Sequence, residues 1–566
     1  PFDRGRLIIS TDSIRLALQN RGFPFPTVYR GFSVQYVDKT AQVEFFVDPG
    51  PAARIDTIEI IGPPDLDPTL VRETLRIRPG ERFNQAALYQ SQQDLYRMGV
   101  FDFVDVRLAD SMPGGPGDSL VTVLVQVSRG RLNSVRVGGG YGTNDCFRTL
   151  ASWTGRNFLG GGRSLALTAG FSKIGTGAPF NAGFEENICR ALAPDAGTER
   201  LDLNYNLSAS LRFPSVFSRR RSATVTVFAE RFSEFQAYIR EAIGFDVSVT
   251  QQTKWNIPVT LSYSLSYGST KGADAVLCSL LSVCRLEDAA SFRRDRVKAT
   301  ASVLLVRDRT NSPINATRGT VLSLEGRVAA EEIGSDPEIE FAKGLVEFAS
   351  YHPVGGMVFA WRLRGGVIRS PDFRFGRQDV RFIPTEERFY GGGPTTVRGF
   401  RQNELGPVVY VDEVTFLADS SGQVVDSLPR NSSDILAAPI GGNAVFIANA
   451  ELRFPLSRSG RLGGVLFVDI GRVVDRTGPE EDPGFRVTPG AGVRVFTPLG
   501  PVRLDVAYNP HGPERGPLFR QECTRTGQTL ECLASELIQE DFARPQGSGI
   551  FGLRNLRLNF SIGQAF

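Results

Sequence analysis

From Arg200 to Phe213 the chain alternates without a break. Leu201, Leu203, Tyr205, Leu207, Ala209, Leu211 and Phe213 fall on one parity, and Arg200, Asp202, Asn204, Asn206, Ser208, Ser210 and Arg212 on the other. A period of two makes a two-faced strand, and this length suits a tilted membrane crossing better than a soluble strand. Leu261, Tyr263, Leu265 and Tyr267 alternate with Ser262, Ser264 and Ser266 in the same way, as do Leu556, Leu558, Phe560 and Ile562 with Arg557, Asn559 and Ser561. Sixteen such segments can be placed between 132 and 566. Their connections are tight at 160–163, 218–221, 355–356, 459–461 and 498–501, and long at 175–198, 274–296, 371–442 and 510–555. Short turns on one side and long loops on the other mark an outer-membrane barrel. Lipid cannot satisfy backbone N–H and C=O groups, so such a sheet must close on itself. The expected fold is a membrane all-β one: a sixteen-stranded antiparallel transmembrane β-barrel over 131–566, with both barrel ends on the short-turn, periplasmic side. A soluble solenoid or sandwich would not confine long loops to alternate connections, and would set long apolar stripes in water.

The first 130 residues mix helix and strand signals. Arg54 to Ile61 reads as a strand, Asp67 to Leu75 as a short helix broken by Pro79-Gly80, and Asn84 to Met98 as a second helix ended by Gly99. Phe103 to Leu108 and Leu120 to Val127 read as strands around a Gly/Pro turn, giving the order β-α-α-β-β. Residues 12–47 repeat the second half of that order: a helix from Asp12 to Asn20, then strands near Phe32 to Val37 and Gln42 to Val47. A partial α+β module over 1–51 and a complete one over 52–130 therefore precede the barrel.

Composition narrows the function classes. The 566 residues are 41% hydrophobic with a mean hydropathy of −0.12, and no run of 18 apolar residues exists, so a membrane helix is excluded. The chain opens at Pro1 without a basic, apolar leader, so a secretory signal would have to be missing from it. A formal charge of +3 gives no reason to expect a nucleic-acid partner. Two His and six Cys leave little for a metal site, and no G-x-S-x-G, HExxH or G-x-x-x-x-G-K pattern occurs, so neither catalytic residue nor cofactor is expected. All six cysteines fall in long, outward connections of the expected barrel. In an oxidising space they imply three disulfides, with Cys146 paired to Cys189, Cys278 to Cys284 and Cys523 to Cys532.

The longest connection holds Tyr390-Gly-Gly-Gly-Pro-Thr-Thr-Val-Arg-Gly-Phe400. Within it Val397, Arg398, Gly399 and Phe400 form a VRGF sequence that resembles the sixth-loop motif of the BamA/TamA superfamily of outer-membrane assembly barrels. Phe467-Val-Asp-Ile-Gly471 is similar to that family's F-x-D-x-G strand, Thr497 to Asp505 to its late strand–turn–strand segment, and Asn157 to Arg163 to its early N-x-x-G turn. The terminal Phe566 matches the aromatic last residue of many outer-membrane barrels. The N-terminal modules resemble POTRA domains, with Arg78-Pro-Gly-Glu-Arg-Phe83 and Leu95-Tyr-Arg-Met-Gly-Val-Phe101 as landmarks. The resemblance covers nearly the whole chain.

An arginine in a long loop is ordinarily solvated. Here Gly399 and the preceding glycines let the backbone turn tightly, and Glu451 and Asp469 sit on the polar parity of nearby strands, so both should face the lumen. The resemblance implies that Arg398 folds inward to pair with them, through bidentate contacts that lysine cannot mimic, and pins the loop. A second candidate site is the seam, where the first strand, with Gly138, Gly139 and Gly140, must meet the last, with Phe560 and Phe566. Glycines weaken a strand; they could mark a barrel corner, or a seam that opens to offer edge hydrogen bonds to a client strand. By resemblance the expected function is assembly or translocation of outer-membrane proteins without a nucleotide, in the outer membrane of a Gram-negative-type cell with the POTRA modules in the periplasm. The expected partners are outer-membrane lipid, unfolded outer-membrane protein clients, and a periplasmic lipoprotein or inner-membrane protein. The alternatives are a two-partner secretion pore exporting one dedicated soluble protein, and a passive porin.

Overall fold

The structure is a computed structural model. It describes residues 3–562 except 36, 64–67, 110–118, 143–144, 190–191, 193–198, 219, 254, 256, 273–275, 277, 280–292, 314, 376–377, 381, 419–423, 428–434, 458–460, 477–483, 498–499, 527–528, 533–535 and 544–554. Phe566 and Cys284 thus lie outside the described residues. The chain divides into two compact units, one made of 1–135, 153–166 and 211–223, the other of 136–152, 167–210 and 224–566.

The N-terminal part begins with helix α1 (Arg4–Gln19) and a two-stranded antiparallel sheet of β1 (Thr27–Gln35) and β2 (Thr40–Asp48). The helix starts earlier than its apolar pattern suggests because the Asp3 side chain accepts from Gly5 N and caps it. The next module runs β3 (Arg54–Ile61), α2 (Pro68–Thr74), α3 (Gln85–Arg97), β4 (Phe101–Leu108) and β5 (Leu120–Arg129), with sheet order β3-β5-β4. Asn84 caps α3 through Ala87 N, and Leu88 and Leu95, spaced along one helical face, are buried in the same core as Val121, Val123 and Val125 of the central strand. Gly99, at φ 67°, ends the helix.

A sixteen-stranded sheet follows. Its strands are β6 (Asn133–Gly142), β7 (Cys146–Arg156), β8 (Ser164–Ile174), β9 (Asn204–Phe213), β10 (Arg221–Glu234), β11 (Tyr238–Gln252), β12 (Pro258–Gly272), β13 (Arg296–Asp308), β14 (Gly319–Ala329), β15 (Phe341–Val354) and β16 (Met357–Arg369), and, past the long connection, five more. The long connection itself carries short strands β17 (Phe373–Phe375), β18 (Gln378–Val380), β19 (Val408–Ala418), β20 (Val424–Ser427) and β21 (Leu436–Pro439). Then come β22 (Ala444–Pro455), β23 (Leu462–Val474), β24 (Arg486–Thr497) and β25 (Gly500–Tyr508). Strands β26 (Gly516–Thr526), β27 (Thr529–Cys532) and β28 (Glu536–Phe542) occupy the last long connection, and β29 (Leu556–Ile562) completes the large sheet. Consecutive large-sheet strands are neighbours, from β6 at one end to β29 at the other, and their ladders from β11 to β29 are antiparallel. Along β23 the side chains of Val465, Phe467, Asp469 and Val473 are buried while Leu466 and Val468 are exposed. Leu504 and Val506 of β25 and Leu558 and Phe560 of β29 are exposed in the same register. These outward rows are the lipid-facing side, each contributing about 25 cal/mol per Å² when covered by hydrocarbon.

Two expectations change. The alternation at 200–213 does not all become strand: Glu199–Leu201 is a 3₁₀ turn, and Leu201 is drawn into a buried cluster with Cys146, Cys189 and Leu192. Cysteines were expected outside strands, but Cys146 opens β7, and Cys523 and Cys532 are register partners of β26 and β27. The reason for the second pair is that the two longest connections fold together, β19 pairing β26 in parallel in a six-stranded sheet. The first strand, β6, and the last, β29, stand at the two ends of the strand order.

Candidate functional site

The VRGF segment sits inside the barrel, against the face of β22–β25. Arg398 is 1% exposed. Its Nε and Nη2 donate to Asp469 Oδ2 and Oδ1 at 2.8 and 2.7 Å, a bidentate pair, and its Nη1 donates to Glu451 Oε1 at 2.7 Å and to Asp505 Oδ2 at 3.4 Å. The guanidinium lies 3.4 Å above the centre of the Phe467 ring. Its own backbone N–H donates to Asp469, and its carbonyl accepts from Asn559 Nδ2 of β29 at 2.8 Å. Burial alone would ease the proton off this arginine; Asp469 above all, with Glu451 and Asp505, holds it firmly protonated, above the ordinary value.

The flanking residues fit by shape. Val397 is buried where Gly471 carries no side chain; a Cβ there would lie 2.6 Å from Leu405 and also strike Val397. Gly399 was expected to serve a tight turn. Its constraint is instead close packing, since a Cβ would come within 2.7 Å of Thr488 Cβ; the turn is made upstream by Gly392 and Gly393, at φ 104° and 88°. Phe400, with Ile383, Phe389 and Leu405 of the same loop, packs against Phe341, Ile368, Ile447 and Val473 of the wall. Phe467, Asp469 and Gly471, alternate residues of one strand, thus each meet part of the loop motif.

Sequence reasoning missed several members of this network. Glu451 is also held by Arg453 Nε at 2.8 Å and Arg494 Nη2 at 2.9 Å, and Asn449 links Arg362, Asp469 and the carbonyl of Thr396. The polar parity of β22 carries Asn449, Glu451 and Arg453 together, and was the available signal. A second missed group lies earlier in the loop. Glu386 accepts from Arg240 and Lys298, both at 2.9 Å; Glu387 accepts from Lys298 at 3.1 Å, Arg327 at 3.3 Å and Lys343 at 3.4 Å. Burial pushes both carboxyls up, but Lys298 and its neighbours overcome it, leaving Glu386 below its ordinary value and Glu387 at about 2. Arg388 pairs with Asp475 and the carbonyl of Gly441.

The remaining candidates are separate. Gly138, Gly139 and Gly140 line β6, where Val135 and Val137 are among the most exposed apolar residues of the sheet, and beside a cavity of about 510 Å³ bordered by Arg148, Asn204 and Glu230. Phe560 is on the outer face of β29. Cys146 and Cys189 form a disulfide; Cys278 is disulfide-bonded as well, and its expected partner Cys284 is not among the described residues. Among the described residues no group of His, Cys, Asp or Glu is arranged to hold a metal ion.

A family model, the Omp85 superfamily domain, matches residues 157–566. The chain belongs to the Omp85 superfamily. A second model, POTRA (surface antigen variable number repeat), matches 53–130. This Omp85 chain is 25% identical over 346 residues to the outer membrane protein assembly factor BamA of Nitratidesulfovibrio vulgaris, covering 60% of this chain and 37% of that protein. It is 23% identical over 540 residues to BamA of Neisseria meningitidis, covering 87% of this chain and 59% of that protein. It therefore spans less than two thirds of either relative. BamA from Haemophilus ducreyi lacking POTRA domains 1–3 superposes with a TM-score of 0.61 at 18% identity, over 96% of this chain and 93% of the other. As an Omp85 protein it is an outer-membrane barrel with its POTRA module in the periplasm, of a kind that is not enzymatic.

Proposed function

We propose that this chain assembles outer-membrane proteins, receiving unfolded clients at the POTRA module and passing them into the bilayer at the seam between β6 and β29. The observation that carries the reading is the state of the sheet's two ends. β6 holds three successive glycines and its valines are exposed, and β6 and β29 are the two end strands of the sheet's order. A strand end of that kind is a template for another strand, and pairing there lets a client satisfy its backbone while its apolar face enters lipid. The work is supplied by client folding, so no nucleotide is needed. A periplasmic lipoprotein or inner-membrane protein would dock on the POTRA sheet edges.

The plugged lumen argues against a passive pore, and the similarity to BamA proteins favours assembly over export of a single soluble partner. The test is reconstitution of the full chain in liposomes with a urea-unfolded small barrel as client, scored by the client's heat-modifiable gel mobility. Cysteines placed at Arg136 and Ile562 and oxidised should stop client folding, and reduction should restore it. Undiminished folding with the crosslink in place would remove the seam from the mechanism.

A further inference from the structure

The sixth loop is held at two places by opposite charges. Its arginine, Arg398, is seated on acids of β22, β23 and β25. Upstream in the same loop its acids, Glu386 and Glu387, are seated on cations of β11, β13, β14 and β15. Lys343 also donates to the carbonyl of Glu387 at 2.9 Å. The cations have wall acids too, Glu230 on Arg240 at 3.0 Å and Glu325 on Arg327 at 2.9 Å. Arg240, Lys298, Arg327 and Lys343 are thus matched by Glu230, Glu325, Glu386 and Glu387, and half of that balance comes from the loop. The gap beside Glu386, lined by Arg240, Ser266, Lys298 and Thr385, is about 40 Å³, room for a few waters.

We infer that Glu386 and Glu387 are positioning residues that form a second, independent latch of the plug and seal the lumen on the side away from the seam. The Arg398 seat touches β29 through Asn559, so it feels any movement of the last strand. The acid latch draws its ion pairs from β11, β13, β14 and β15, and stays closed when that strand moves. Between the two, Gly392 and Gly393 provide the bend about which one end can loosen while the other holds. The barrel can then admit a client at its seam without becoming an ion leak.

Without the two carboxylates, the wall keeps four cations against Glu230 and Glu325. A lumen opened there is lined with positive charge and passes anions in preference. The test is single-channel recording of the full chain in planar bilayers under a KCl gradient, with no client present, so that its outcome is independent of the assembly reading. The double variant E386Q/E387Q, isolated as a heat-modifiable barrel, should show a several-fold larger conductance than the native chain and a reversal potential shifted toward chloride. The variant K298Q/K343Q, which leaves the loop intact and weakens the wall, should also conduct more but with less anion preference. Native conductance in either folded variant overturns the latch, and so does increased conductance with identical selectivity in both. If the acid variant does not fold, the lysine variant decides alone by its conductance.

Discussion

Replacing Arg398 by Ala removes four side-chain hydrogen bonds at a position that is 1% exposed. The loss is not shared equally among the acids. Glu451 keeps Arg453 and Arg494, at 2.8 and 2.9 Å, and so remains a paired anion. Asp469 keeps the Asn449 amide and the backbone N–H of residue 398, and becomes a buried carboxylate whose bidentate cation is gone. Asp505, 1% exposed, loses the one hydrogen bond it has among the described residues. Breaking a buried pair by removing one partner costs about 3–5 kcal/mol, and because two acids are left short the upper half of that range applies, about 4–5 kcal/mol. Arg398→Lys keeps the charge but cannot reach Asp469 in the two-pronged manner or stack on Phe467, so about half that loss is expected. Adding Asp469→Asn to Arg398→Ala removes one stranded charge and should recover about 1–2 kcal/mol. The assay is urea unfolding of the barrel in lipid, followed by heat-modifiable mobility, with client folding measured in parallel. An R398A barrel within about 1 kcal/mol of the native one, or equal to R398K, would refute the seat as a stabilising element.

Gly399→Ala should destabilise by about 1–3 kcal/mol through overpacking on Thr488, without changing any charge; the same urea titration reads it, and a neutral result would remove the packing constraint at Gly399. Glu387 titrates near 2 when folded against an ordinary 4.5, so its latch is fully stabilising above about pH 4.5 and weakens as pH falls toward 2. Conductance should accordingly stay low at about pH 5 and rise only near pH 3 and below, whereas a rise already at about pH 5–6 would exclude this carboxylate as the gate. For the cysteines, non-reducing alkylation followed by intact-mass measurement should show no labelled thiol. Cys146→Ser with Cys189→Ser opens a loop of sequence separation 43 and should cost about 4 kcal/mol in the chain-entropy description, read as earlier proteolysis of the 175–198 segment.

The barrel was legible because lipid and lumen write a period-two pattern that needs no partner to be seen. Its strand number follows from that pattern, and the order of elements in the complete α+β module from helical spacing, Gly99 and the Asn84 cap. Where the reading failed, a distant residue had overridden the local one. Leu201 continues the alternation of 200–213 yet leaves the strand, because Cys146 and Cys189 build a cluster that takes it in. Parallel pairing of β19 with β26 joins segments about a hundred residues apart, and no local signal announces it. Parity could turn Glu451 and Asp469 toward the lumen, and only the family resemblance could bring Arg398 to them. Glu386 and Glu387 had neither guide, because their partners are spread over four strands that each look merely polar-inside.

The placement of the two proposed latches fits what a plugged barrel that opens at its seam would require. A plug held by apolar contact alone would be hard to release and would expose a greasy surface to the lumen; one held by solvated charges would be worth little. This loop uses Phe389, Val397 and Phe400 for burial and buried charges for register. The hydrogen bond from Asn559 to the carbonyl of Arg398 reaches the last strand from the Arg398 seat, while Asp505, Asp469 and Glu451 sit one, three and four strands behind it. Losing that bond costs about 1 kcal/mol, a small fraction of the seat's worth. On the proposed reading, the Arg398 seat yields this bond when β29 exchanges partners, and Glu386 and Glu387 keep the plug in place, which is what strand insertion into a sheet that must not leak would require.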